Sequence, residues 1–294
     1  MSVSVLITSY NEPDTVGNAI EACLAQLPTD GEVLVICPDE ATRAVVLSYA
    51  ARDGRVRHLH DERKGKPAAL NVGLAQAQHE LVVLTDGDVY AQEDALTPLL
   101  APFADTDVGA VTARPISLSP RQTMLGFWSH LLTDGAHATR QARAEQGAFL
   151  LCSGYLFAYR KALMPHIPED ALAEDAVISH RIAEQGYRIA YAPQARVYVK
   201  YPTTYSDWLK QKVRSAGGYV QDYITQSPVQ MRSAGLEVRD GLGFALRYPR
   251  TWRERWHTLW LLLARLHLWL LVYWRVRVRS RSLLQLWQPV NTTK

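Results

Sequence analysis

Leu81-Val82-Val83-Leu84-Thr85-Asp86-Gly87-Asp88 is an apolar run that ends on two carboxylates separated by one glycine. In extended backbone, positions i and i+2 project to the same side, so both acids face one way. Two carboxylates this close repel unless a cation sits between or beside them. Hard divalent ions such as Mg2+ or Mn2+ take one or two carboxylates and complete their shell with substrate phosphate oxygens. Asp-Gly is also a turn dipeptide, but a turn does not need the second acid. An apolar strand that delivers polar groups at its carboxyl end suits an open parallel sheet, where the ligand crevice lies.

Outward from this stretch the same pattern recurs. VSVLIT (3–8), EVLVIC (32–37), RVRHLH (55–60) and VGAVTA (108–113) read as strands, with helix-like stretches at 14–26, 40–52, 66–78 and 94–103. This alternation predicts βαβ units with right-handed crossovers, hence an α/β fold around a mostly parallel sheet. Residues 120–146 read as a long helix, 149–161 as a buried strand, 173–186 as a helix and 187–199 as a strand. From residue 204 the pattern is helical apart from a polar interval near 226–240.

At 294 residues, 48% hydrophobic and 21% charged, the chain has ordinary globular composition. Disorder, collagen and a polytopic membrane protein are excluded. Cys23, Cys37 and Cys152 have neither disulfide-framework nor zinc spacing and sit among apolar residues, so they read as buried free thiols. The nine histidines show no ligand spacing; His58 and His60 merely alternate on a strand. The net charge of +3 hides an asymmetry. From Arg247 onward nine arginines and one lysine face a single acid, Glu254, and the preceding chain is acidic overall. That is not the footprint of a nucleic-acid binder. The start, MSVSVLITSYNEP, lacks a basic n-region and predicts no signal peptide, placing the body in the cytoplasm.

The other segments that follow strands carry further candidates. Thr8-Ser9-Tyr10-Asn11-Glu12-Pro13 offers a ring for stacking and groups that bond a ribose or base, and equally a helix start with Asn11 or Asp14 as N-cap. Asp39, after the second strand, suits a base or ribose contact as well as an N-cap. Lys64-Gly65-Lys66-Pro67 places two lysines and a glycine at a helix start, an anion site or a solvated turn, without P-loop spacing. Glu174-Asp175 opens a helix, where acids favour the dipole and could also supply a general base.

Taken in order, these pieces resemble a family 2 glycosyltransferase with the GT-A, Rossmann-like nucleotide-diphospho-sugar transferase fold. The resemblance runs from about Val3 to Gly218. It rests on Thr8–Glu12, Lys64-Gly65-Lys66-Pro67-Ala68-Ala69-Leu70-Asn71, Asp86-Gly87-Asp88, Ser153-Gly154 before Tyr159-Arg160-Lys161, and Glu174-Asp175 with Gly186-Tyr187-Arg188. It implies a mixed, mostly parallel sheet flanked by helices, with a nucleotide-sugar half at about 1–115 and an acceptor half at about 116–225. By the same resemblance Tyr10 and Asp39 hold the base of a UDP- or GDP-sugar, with Thr8 and Glu12 nearby and Lys66 near the base or pyrophosphate. Asp86 and Asp88 are the metal pair for Mg2+ or Mn2+, with Asp88 the direct ligand. Asp175, next to Glu174, is the base that activates the acceptor hydroxyl for an inverting displacement. The chain departs from the pattern where processive members carry Gln-x-x-Arg-Trp. Here Gln211-Lys212-Val213-Arg214 is followed by Ser215. Gln211 and Arg214 remain candidates for the acceptor or diphosphate side, and one or a few sugars per acceptor is the expected outcome.

The last part, 226–294, reads as a helical, membrane-associating tail. Trp256–Trp274 could just cross a bilayer, but Arg265 and His267 lie at its centre and five aromatics suit an interface. Arg275, Arg277, Arg279 and Arg281 follow and suit anionic headgroups. The expectation is a helix lying in the membrane surface through 251–287, on the cytoplasmic face of the cell membrane, with a lipid-linked glycan or glycolipid acceptor. So many tryptophans would also suit packing on the catalytic domain or a homo-oligomer. Two other functions fit the sequence less well. A sugar nucleotidylyltransferase would carry a Gly-rich, Arg-containing loop where TSYNEP stands, and a non-catalytic scaffold would not need Asp86, Asp88 and Asp175 intact.

Overall fold

The computed structural model describes residues 1–219, 221–229 and 234–274. Eight strands form one sheet: β1 (Val3–Thr8), β2 (Glu32–Ile36), β3 (Val56–Leu59), β4 (Leu81–Asp86), β5 (Tyr90–Ala91), β6 (Val108–Ser117), β7 (Leu156–Arg160) and β8 (Arg188–Val199). Their order is β3-β2-β1-β4-β7-β6-β8-β5. The pairs β1–β2, β1–β4, β2–β3 and β6–β8 are parallel, whereas β7 runs antiparallel to both β4 and β6, and β5 antiparallel to β8. Chain order reverses direction across β1, which has β2 on one side and β4 on the other. Open α/β sheets bind ligands beyond the strand carboxyl ends at such a switch point.

The sheet is apolar on both faces, as its unbroken apolar strands require. Val3, Val5 and Ile7 join one core layer with residues of α1 (Val16–Leu24), α2 (Glu40–Ala50) and α4 (Leu96–Leu100). Leu6, Val82 and Leu84 join the opposite layer with α3 (Lys66–Gln76) and α6 (Glu174–Glu184). All three cysteines are buried and free.

A third packing unit is helical. It comprises α5 (Met124–Glu145), α7 (Tyr205–Gly218), α9 (Ala234–Arg247) and α10 (Trp252–Tyr273), while the short α8 (Asp222–Thr225) packs on α6 through Ile224. Phe127, Trp128, Trp208, Ala245, Leu261 and Ala264 form one of its cores. The Trp128 indole N–H donates to the His257 carbonyl at 2.7 Å, and its ring meets Trp208 edge-on at 5.2 Å. The tail helix α10 is therefore docked. Its inner row, including Leu261, Ala264, Leu268 and Val272, is buried. Its outer row, including Trp252, Trp256, Trp260, Leu263 and Leu270, is exposed. Glu254 fastens the start of α10 by accepting from Arg121 Nε at 2.8 Å and from the Arg250 backbone N–H. His267 Nδ1 lies 2.8 Å from Tyr205 Oη, so this exposed mid-helix residue is tied to α7. Among the described residues no helix is long and apolar enough to cross a membrane. Arg275, Arg277, Arg279 and Arg281 lie outside the described residues.

Three sequence expectations are corrected. The strand read at 149–161 is confined to Leu156–Arg160, because the preceding backbone bonds to side chains: Cys152 N–H to Ser179, Ser153 N–H to Thr112 and Gly154 N–H to Asp175. The first helix begins at Val16 with Thr15 as N-cap, not Asn11 or Asp14; Asn11 instead adopts φ +54° in the loop. Part of the polar interval at 226–240 is the first half of α9, which packs on α5.

Candidate active site

Thr8 and Asp86 end adjacent parallel strands in register, so their side chains meet at the carboxyl pole of the sheet. Thr8 Oγ1 donates to Asp86 Oδ1 at 2.9 Å, and Lys66 Nζ reaches the same oxygen at 2.7 Å. Lys66 also pairs with Glu174 Oε1 at 2.9 Å, bridging the donor-side strand to the start of α6. Burial alone would lower the Lys66 ammonium, but the charges of Asp86 and Glu174 and their hydrogen bonds raise it above the lysine range. Burial would raise the Glu174 carboxyl, but Lys66, with help from Arg214, holds it below its ordinary value. Both shifts say the same thing: the Lys66–Glu174 pair is ionised. Lys64, by contrast, pairs with Glu62 on the surface.

Gly87 separates the two acids for a steric reason. A Cβ there would stand 2.4 Å from Ser9 Oγ and 2.8 Å from Glu12 Oε2. Its N–H donates to the Thr8 carbonyl at 2.9 Å, locking the turn against β1. Glu12 itself accepts from Ser9 Oγ at 2.8 Å, and its N–H donates to Thr42. Asp39 resolves as the N-cap of α2: Oδ1 accepts from Thr42 N–H at 2.9 Å and Oδ2 from Asn11 N–H at 2.7 Å. Burial would raise this carboxyl, but those backbone donors hold it below its ordinary value. Asp39 thus fixes the loop that presents Tyr10, a residue 42% exposed.

On the far side of the pole, the Asp175 carboxylate accepts from Gly154 N–H and from its own helix at Ala176 N–H, both at 2.9 Å. Arg214 acts on Glu174 from α7, and Gln211 precedes it by one turn on that helix, with a buried amide oxygen. Thr8, Lys66, Asp86 and Glu174 thus form one cluster, with Asp88 and Asp175 next to it along the chain and Arg214 acting on it from α7, whereas Tyr10, Glu12 and Asp39 shape the loop after β1 and Lys64 stands apart.

Residues 2–218 match glycosyltransferase like family 2. The chain belongs to this family. Among curated proteins, poly-beta-1,6-N-acetyl-D-glucosamine synthases of Staphylococcus aureus are 27% identical over 74% of this chain, and that of Staphylococcus epidermidis is 25% identical. The chain spans about half the length of these relatives, 54% in each case. A mannosyltransferase from Pyrobaculum calidifontis, solved in complex with GDP-Man and Mn2+, superposes with a TM-score of 0.62 at 23% identity, covering 89% of this chain and 73% of that one. S. aureus TarS 1-349 in complex with UDP gives a TM-score of 0.50 at 20% identity, covering 86% and 73%. These likenesses establish the GT-A fold.

The structure of this family 2 chain also adds residues that the sequence did not single out. Tyr155 is half-buried and hydrogen-bonded to Tyr201; desolvation first, then Tyr201 and the charges of Asp88 and Asp86, push its phenol well above the ordinary range. Its backbone carbonyl accepts from Thr85 at 2.8 Å, which places it beside the two acids. Arg63, at φ +58°, sets its guanidinium 5.7 Å from the Tyr10 ring centroid. Neither has a motif of its own. Tyr155 directly follows Ser153-Gly154, which was the available clue.

Proposed function

We propose that this chain transfers a sugar from a UDP- or GDP-sugar to a hydroxyl acceptor in a single in-line displacement with inversion. The observation that carries it is the cluster at the carboxyl pole, where Lys66 ties Asp86 to Glu174 with Asp88 and Asp175 at its two flanks. Tyr10, with Arg63 beside it, offers a stacking face for the base, on a loop that Asp39 and Glu12 hold in shape. Among the described residues no group of three or more His, Cys, Asp or Glu could hold a metal alone. A pair of acids nevertheless fits Mg2+ or Mn2+, which keep open positions for substrate phosphate oxygens. Asp88, two residues beyond Asp86, is the residue that would hold the ion, whose charge would offset that of the departing diphosphate. The neighbour with GDP-Man and Mn2+ supports this reading.

Asp175 takes the proton of the acceptor hydroxyl, oriented by the Gly154 and Ala176 N–H groups. The acceptor oxygen then bonds the anomeric carbon as the bond to the diphosphate breaks, so no covalent glycosyl-enzyme forms. Ser215 in place of tryptophan supports addition of one or a few sugars, in contrast to the polymer named for the curated relatives. The exposed aromatic row of α10 supports action at a membrane surface on a lipid-linked acceptor. The test is nucleotide release from a panel of UDP- and GDP-sugars with Mn2+, Mg2+ or EDTA, together with product length. Metal-dependent release from one donor, lost in Asp88→Ala, is expected. No release and no nucleotide binding under any condition overturns the transferase reading.

A further inference from the structure

Arg63 is an exposed residue with a left-handed backbone, and its guanidinium lies 5.7 Å from the centre of the Tyr10 ring. A long side chain at φ +58° stays there only when its surroundings demand it. The demand comes from Asp61, whose buried carboxylate accepts the Arg63 N–H. Glu62 and Lys64, on either side, pair with each other instead. Among the described residues no carboxylate forms an ion pair with Arg63, so the face of Tyr10 is what its cation rests on.

The contact spans the end of a strand. In the order β3-β2-β1, Arg63 follows β3 and Tyr10 follows β1. Asp39 follows β2 between them and accepts the Asn11 N–H next to Tyr10. Loops from both sides of β2 thus bring together two flat groups, a phenol ring and a guanidinium, at the carboxyl ends where open α/β sheets bind ligands. Nucleobases stack on aromatic rings and on guanidinium planes alike. A base placed on Tyr10 lifts the guanidinium by about 3.4 Å, one stacking distance, which a long side chain does by bond rotation with its backbone fixed.

We propose that Arg63 closes over the nucleobase of the donor, so that the base is held between the Tyr10 ring and the Arg63 guanidinium. The inference rests on the transferase reading for the presence of a nucleotide, and adds the residue that covers it. A grip on the faces does not read the edge of the ring, so it serves uracil and guanine alike. It contributes to binding equally before and during the displacement at the anomeric carbon.

The test is calorimetric titration of the full chain with UDP, UMP, GDP and GMP in the presence of Mn2+, comparing wild type with Arg63→Gly and Arg63→Lys. Glycine adopts φ +58° without strain, so it deletes the guanidinium and keeps the turn. Lysine keeps the charge but has no plane to stack. For the nucleotides that the wild type binds, both variants are expected to weaken binding about tenfold, by the same factor for diphosphate and monophosphate. Turnover at saturating donor stays within about twofold, and the melting temperature checks the fold. Restored affinity in Arg63→Lys, or a loss that shrinks from diphosphate to monophosphate, assigns Arg63 to a phosphate and overturns the proposal. Unchanged binding in Arg63→Gly overturns it too, leaving a surface contact and the transferase reading intact. Wild-type protein that binds none of the four nucleotides overturns the transferase reading and this inference together.

Discussion

The carboxyl pole of the sheet and the helical roof over it are built on opposite plans. At the pole, polar atoms are tied to one another before any ligand arrives: Thr8 and Lys66 on Asp86, Glu174 on Lys66, two backbone N–H groups on Asp175, two more on Asp39. In the roof, a few large side chains such as Trp128 and Trp208 carry the packing around open space. The difference teaches a division of labour. A site for a fixed, charged donor gains from groups already aimed, because no reorganisation remains for the moment of reaction. Among the described residues the roof has no such pre-aimed cluster, and its helices are held by buried anchors such as Trp128.

The sharpest way to break this contrast is to disable the pole without disturbing it. Asp175→Asn keeps the size and one of the two backbone hydrogen bonds, since its amide nitrogen cannot accept the other, and removes the base; turnover is expected to fall about a thousandfold. Steady-state kinetics with a melting curve checks this: a large loss of kcat with little change in melting temperature fits a prebuilt pole. Loss of both would mean that the carboxylate is a structural strut.

The pole was also the more legible region. Strands β1 to β4 and the acids after them followed from apolar runs and polar punctuation, which are local properties. Two-residue β5 leaves no period to read, and 149–155 is apolar like a strand, yet its backbone is claimed by Ser179, Thr112 and Asp175. Tyr155 and Arg63 matter through neighbours far along the chain, which no local pattern encodes. The roof was harder still. Gly235, Gly241 and Gly243 are poor helix formers, and α9 exists because α5 and α10 pack against it.

The second test falls on the roof. Trp128→Ala removes a buried ring and the bond to the His257 carbonyl, and should cost about 4 kcal/mol, read by chemical denaturation. If that loss melts the roof while strand signals survive, the two regions are separate cooperative units. A single shared transition would join them.

The smallest effect concerns the fastening of α10. Burial would raise the Glu254 carboxyl, but Arg121 and the Arg250 N–H hold it below its ordinary value of 4.5. A depressed carboxyl contributes stability above its unfolded value, lost as pH falls through the folded one. Docking should therefore hold at neutral pH and weaken only below 4.5, by about 1 kcal/mol. Tryptophan fluorescence against pH checks this, and Glu254→Gln should abolish the acid transition.

The three buried thiols have a practical consequence. Burial pushes Cys23, Cys37 and Cys152 up to about 12. Only the thiolate reacts, so at neutral pH about one in 10⁵ of these groups is competent even before access is considered. Alkylating reagents and mild oxidants will find nothing to modify in the folded chain. The cysteines sit on α1, at the end of β2 and ahead of β7, so thiol labelling reports, site by site, which part of the sheet has opened.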